Sequence, residues 1–229
     1  MRLRIGVVAV ALAGLLGAAD SKEPKEVARV LEAAAVFDEI MGVKEKTIPQ
    51  ELLDKAECVV IVPALKKGAF GIGGKYGKGL INCRPENGEG WSGPSTIRME
   101  GISFGLQLGG TSVDLVMLVI NKRGIDKLLQ SKFTLGGDLN VAAGPVGRTA
   151  EAQTDAQMHA EILSYSRSRG LFAGVSLAGA TFRQDETDNR LIYGKMVTPK
   201  QILRDGEKTP ASVQKLSNTL SKYSSRRKG

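Results

Sequence analysis

The chain has 229 residues, a formal net charge of +8, 42% hydrophobic but only 5% aromatic residues, 28 glycines, two cysteines and one histidine. This is enough chain for one domain with a hydrophobic core, and no internal repeat or low-complexity tract precedes the polar C-terminus. The basic excess favours anionic partners, whereas the lack of closely spaced Cys and His residues excludes a zinc centre.

Met1-Arg2-Leu3-Arg4 leads into an uncharged stretch, Ile5 to Leu16, followed by Gly17-Ala18-Ala19-Asp20. Two arginines, an apolar run of about a dozen residues and small residues before an acid have the form of a secretory signal peptide cleaved after Ala19. The run is shorter than the roughly 20 apolar residues needed to cross a bilayer. The alternative is a buried N-terminal helix. The mature protein is expected to be periplasmic or secreted, with its domain over residues 20–204 and a C-terminal helix and basic tail over 205–229.

Ser21 to Met41 is expected to be helical, because Val27, Val30, Leu31, Ala34, Phe37 and Met41 recur every three or four residues. Ser21 is placed to cap it and Gly42 to end it in a left-handed turn. Ile48 to Leu53 opens a short helix with Pro49 in its first turn. Cys58 to Val62 is a β-branched strand, stopped by Pro63. Ala69 to Gly74 and Gly79 to Cys83 are expected to pair across a turn at Lys75-Tyr76-Gly77-Lys78. Asn87-Gly88 and Gly90 mark a turn before Trp91.

Further along, strands are expected at Ile102 to Leu108, Ser112 to Asn121 and Leu139 to Ala143, with a short helix at Arg123 to Gln130. Glu151 to His159 is expected to be helical. Ile162 to Ser166 and Leu171 to Phe182 read as two strands joined at Ser168-Arg169-Gly170. Thr198-Pro199 and Thr209-Pro210 each pair a cap with a first-turn proline. The last helix places Val213, Leu216, Leu220 and Tyr223 on one face. The expected class is α+β, a strongly curved antiparallel sheet or partly closed barrel between terminal helices. The spaced glycines (Gly71, Gly73, Gly77, Gly79, Gly101, Gly105, Gly109) favour that curvature and close backbone approach.

Catalytic and nucleotide motifs fail on spacing. Gly68 to Gly73 has the interval of a phosphate-binding loop, but Gly74 stands where the lysine belongs and no hydroxyl follows Lys75. A nucleophile elbow is absent, since Gly174 to Gly179 is one residue too long. His159 is the only imidazole, and Asp114 and Asp138 are the other acid–base candidates. Asp185 and Glu186 read as a solvated turn. No enzyme activity, cofactor, metal or nucleic-acid partner is expected.

Charge is more informative. Between Pro63 and Arg84 lie Lys66, Lys67, Lys75, Lys78 and Arg84, with no acid among them. If the lysines flank strands at turns, they gather at one sheet edge and suit an anionic lipid surface, at about 1 kcal/mol per basic residue. Ordinary solvated turn lysines are the alternative reading. Ser224 to Lys228 forms a second basic cluster, read as a frayed tail. Cys58 and Cys83 both fall in expected strands of an exported chain, so they either form a disulfide or pack as buried thiols.

Five segments in order carry a family resemblance: Lys67 to Leu80, Trp91 to Ser95, Gly105 to Gly109, Val141 to Arg148 and Ser164 to Leu177. With the preceding Ile48-Pro49 they resemble the SYLF domain over about Val27 to Gly194. That family is shared by yeast actin-patch proteins, lipid-binding SH3-containing proteins and plant FYVE proteins. The resemblance implies phosphoinositide or other lipid binding, actin binding in the fungal branch, and no catalysis. This chain carries no SH3 or FYVE module. Its signal peptide occupies the region where some relatives have a membrane-binding helix, and export would separate it from actin. The expected partner is therefore an anionic lipid or membrane surface, or an envelope protein.

Overall fold

The β-branched run beginning at Cys58 forms the centre of the sheet. A computed structural model of the chain describes residues 23–43, 48–70, 72–86, 89–104, 109–146, 159–168, 171–172 and 176–225. The expected signal peptide, Ser21, the helix expected before His159 and the last four residues lie outside these.

Strand β1 (Cys58–Phe70) pairs antiparallel with β2 (Ile72–Cys83) on one side and β4 (Gly109–Val119) on the other. Beyond β2 lie β3 (Ser95–Phe104), β9 (Thr181–Gln184) and β5 (Lys132–Thr134). Beyond β4 lie β7 (Ile162–Ser168) and β6 (Val141–Ala143), with the two-residue β8 (Leu171–Phe172) on β7. Among the described residues the eight strands on this path make a strongly curled half-barrel. It is mixed rather than wholly antiparallel, because β6 runs parallel to β7.

Both faces of the sheet are covered, which is why β1 and β4 are nearly continuous apolar runs. Alternation sends Val59, Ile61, Leu80, Val116 and Leu118 to one face. There they pack under α1 (Lys25–Gly42), α2 (Gln50–Lys55) and α6 (Gln214–Tyr223). Phe37 meets Tyr223 edge-on at 5.9 Å, so the last helix docks directly on the first. The opposite face carries Val60, Val62, Ile81, Leu115 and Met117. It is covered by α3 (Lys122–Leu128), α5 (Pro199–Leu203) and the stacked rings of Phe133 and Phe182, 5.1 Å apart. A disulfide joins Cys58 to Cys83, which face each other across β1 and β2.

Several sequence expectations are overturned. Pro63 does not stop β1. The strand continues through one extra residue relative to both neighbours, Val62 and Leu65 pairing with Leu115 and Val113. Proline fits this bulge because no ladder bond is asked of its nitrogen, and Ala64 beside it takes φ +48°. Nor does the hairpin turn at Lys75 to Lys78. Phe70 pairs with Ile72, so the reversal lies five residues earlier and Lys75 to Lys78 are mid-strand. Leu171 to Phe182 is not one strand, and β5 and α4 (Glu186–Tyr193) were unforeseen.

Local signals fared unevenly. α1 starts after Pro24 without a side-chain cap, and Gly42 stays helical before the extended Val43. Pro49 precedes α2 instead of occupying its first turn. Thr198 does close a capping box with Gln201, whereas Pro210 itself precedes the short 3-10 turn Ala211–Val213 that leads into α6. Gly79 meets its expected role, since a Cβ there would sit 2.4 Å from the Ile61 carbonyl oxygen.

Candidate functional site at the end of the sheet

The bulge decides which lysines share a face. Before it, even-numbered residues of β1 point away from α1; after it, odd-numbered ones do. Leu65 therefore continues the apolar face and Lys67 follows it, directly opposite Lys75 of β2. Thr111 of β4 stands on the other side of Lys67 in the same row, exposed to solvent. Lys75 is only 9% exposed and donates from Nζ to the carbonyl of Ser176. Burial holds the Lys75 ammonium below its usual pKa. Burial and the charge of Lys75 do the same to Lys67.

Lys66 points the other way, opposite Tyr76, at the end of the face that α1 and α6 cover elsewhere. It is exposed, as are Gly68, Gly74 and Gly110 in the next row. Tyr76 is 48% exposed and Ile102, across from Gly74, is 66% exposed. Sequence reasoning missed both. The alternation Gly74-Tyr76-Lys78-Leu80 was the available signal, hidden by reading Tyr76 and Lys78 as part of a turn.

Lys78 and Arg84 do not belong to an open basic surface, contrary to expectation. The Lys78 Nζ lies 2.8 Å from Asp185 and 3.0 Å from Asp188, which also binds Arg29 of α1 at 2.8 Å. Burial opposes the Lys78 charge, but these carboxylates outweigh it and raise its pKa. The expected solvated turn at Asp185 and Glu186 is instead the start of a helix, with Asp185 buried and Glu186 exposed. Asp185 accepts the Asp188 N–H and, despite burial, is held below the usual carboxylate range by Lys78 and that bond.

Arg84 is fully buried. Its guanidinium lies 4.0 Å over the Trp91 ring and donates to the carbonyls of Ala56 and Leu53 and to Ser224. It ties the end of α2 to the chain after α6. Its charge is spent on structure.

The acid–base candidates are dispersed. Asp114 and Asp138 accept the backbone N–H groups of Ala64 and Thr134. His159 is exposed beside a cavity of about 310 Å³ lined by Gly136, Asn140, Val141 and Ala142, with no carboxylate among its described lining residues. No group of His, Cys, Asp and Glu residues suited to a metal occurs among the described residues.

Residues 100–223 match the family described as Ysc84, Las17-binding protein actin regulator. The chain belongs to the Ysc84 (SYLF) family. Over 201 residues it is 35% identical to an SH3 domain-containing protein of Schizosaccharomyces pombe, covering 86% of this chain and 46% of that protein. It is 34% identical to LAS seventeen-binding protein 3 of Saccharomyces cerevisiae, covering 43% of it. With the human SH3 domain-containing YSC84-like protein 1 the identity is 32% over 202 residues, or 58% of that protein. The chain thus spans about half the length of these relatives.

Proposed function

We propose that this Ysc84-family domain is a non-catalytic binding module of the cell envelope, docking the open end of its sheet on an anionic lipid surface. One observation carries the reading. Among the described residues Lys66, Lys67 and Lys75 make no ion pair, whereas Lys78, Arg29 and Arg167 are each held by carboxylates. Three uncompensated ammonium groups at one end of the molecule attract a negative interface, at about 1 kcal/mol each near an anionic membrane. Tyr76 and Ile102 add an amphipathic ring and an aliphatic side chain beside Lys66, suited to the headgroup boundary. The leader at Met1 to Ala19 supports delivery outside the cytoplasm, where fractionation of the full-length protein should find it.

Co-sedimentation with vesicles tests the contact. The expected result is binding to phosphatidylcholine vesicles that contain an acidic lipid, weakening with salt and with Lys66→Glu and Ile102→Ser. Equal binding to neutral and acidic vesicles would overturn it. Relatives named for binding Las17 favour a second reading, a protein partner in the envelope; that reading expects no vesicle binding and a reproducible crosslinked partner.

A further inference from the structure

We infer that Lys67 and Lys75 form a discrete site for one phosphate monoester group, with Thr111 as an accessory donor. The inference rests on the proposed anionic partner but not on that partner being a membrane.

The two lysines occupy directly opposed positions on adjacent antiparallel strands. Opposed residues have Cα atoms about 4.5–5.5 Å apart, and their side chains leave the same face. The row beneath them is apolar, with Leu65 and Val113 buried. The aliphatic stems therefore lie on hydrophobic surface and the ammonium groups stand together above it. On the far side the Ser176 carbonyl accepts one hydrogen bond from the Lys75 ammonium and fixes that side chain. An ammonium has three donors, so two remain. Like charges held side by side and partly desolvated repel, and no carboxylate among the described residues pairs with either. A bound anion removes that repulsion.

Stoichiometry selects the anion. Two ammonium charges are balanced by one dianion, and a phosphate monoester carries about −1.5 to −2 near neutral pH. Its three terminal oxygens can accept from both lysines and the Thr111 hydroxyl together, which a carboxylate with two oxygens cannot do as fully. A phosphodiester carries half the charge. Two sources fit: the headgroup of a phosphatidate-type lipid, or a soluble phosphate ester. Lys66 points to the opposite face and takes no part, which separates this site from general attraction to a charged surface.

Lysine acetylation read by mass spectrometry tests the site in solution, on the full chain, with inorganic phosphate against chloride at matched ionic strength. Phosphate should slow modification of Lys67 roughly fivefold, the scale of one such contact, and leave Lys66 unchanged. In a second arm, vesicles of phosphatidate and of phosphatidylglycerol are compared at equal surface charge. Phosphatidate should bind more tightly, with the preference lost in Lys67→Gln. Lys75→Gln should behave alike; if it does not fold, the Lys67 variant decides, because that side chain is partly solvated. Protection by phosphate without vesicle binding upholds the site and overturns the membrane reading. Vesicle binding that ignores the monoester and Lys67, yet depends on Lys66, overturns the site and leaves the membrane reading standing. No protection in either arm overturns the inference.

Discussion

Ala64 donates its backbone N–H to Oδ1 of Asp114 at 3.0 Å, while the other oxygen of that carboxylate holds Arg167 at 3.1 Å. This bond steadies the bulge in β1. The bulge, in turn, places Lys67 instead of Lys66 beside Lys75, because one inserted residue exchanges the two faces of every residue that follows.

The left-handed φ of +48° at Ala64 suits glycine better than alanine. Ala64→Gly is expected to raise stability by up to about 1 kcal/mol in urea denaturation, the αL penalty less glycine's unfolded-state entropy. Asp114→Ala should lower stability by about 1–3 kcal/mol, by leaving the Ala64 amide and Arg167 short of a partner. A destabilised Ala64→Gly variant would count against αL strain at the bulge.

Lys78 should matter for stability more than for binding. Lys78→Met leaves Asp185 and Asp188 short of a cation and is expected to cost about 2–3 kcal/mol, below the value for a fully buried pair, since the Lys78 side chain is 29% exposed. Vesicle binding by the folded fraction should be little changed.

The same network sets two limits on pH. Asp185 is held below its ordinary 3.8, so its contribution is complete above that value and is lost as pH falls through the lower folded-state pKa. Lys78 is held above its ordinary 10.5, so its contribution is complete below that value and is lost as pH rises through the higher one. Thermal melts across pH should show a plateau between these limits. Lys78→Met should reduce the acid-side slope; an unchanged slope would remove Asp185 from the explanation.

Arg84→Ala should destabilise by about 3 kcal/mol or more, by opening a cavity and removing the side-chain donor to the Ala56 carbonyl and to Ser224. Its specific signature is early release of the chain after α6, which limited proteolysis near Ser224 would detect. Resistance equal to that of the parent would deny the clasp.

The bridge between Cys58 and Cys83 closes a loop with a sequence separation of 25 residues. Its loss in a Cys58→Ala, Cys83→Ala double variant is expected to cost about 3 kcal/mol on the chain-entropy account. Denaturation with and without reductant measures it, and the double variant should no longer respond to reductant.

Residues alone determined the local choices: a helix through Val30 and Phe37, β-branched runs at Cys58 and Val116, a cap at Thr198, and the family motifs from Lys67 to Leu177. These are legible because amphipathic spacing, propensity and capping act over a few neighbours. The basic content between Pro63 and Arg84 was equally plain, but its disposition was not. The bulge at Ala64 is stabilised by Asp114, 50 residues away, and the hairpin reverses where glycines on both sides allow several registers. Asp185 and Asp188, more than 100 residues from Lys78, withdraw that lysine from the surface, and Ser224 does the same for Arg84 from 140 residues away. Which face a strand residue occupies, and which charge is already neutralised, depend on contacts between distant segments. Only the assembled tertiary structure decides them.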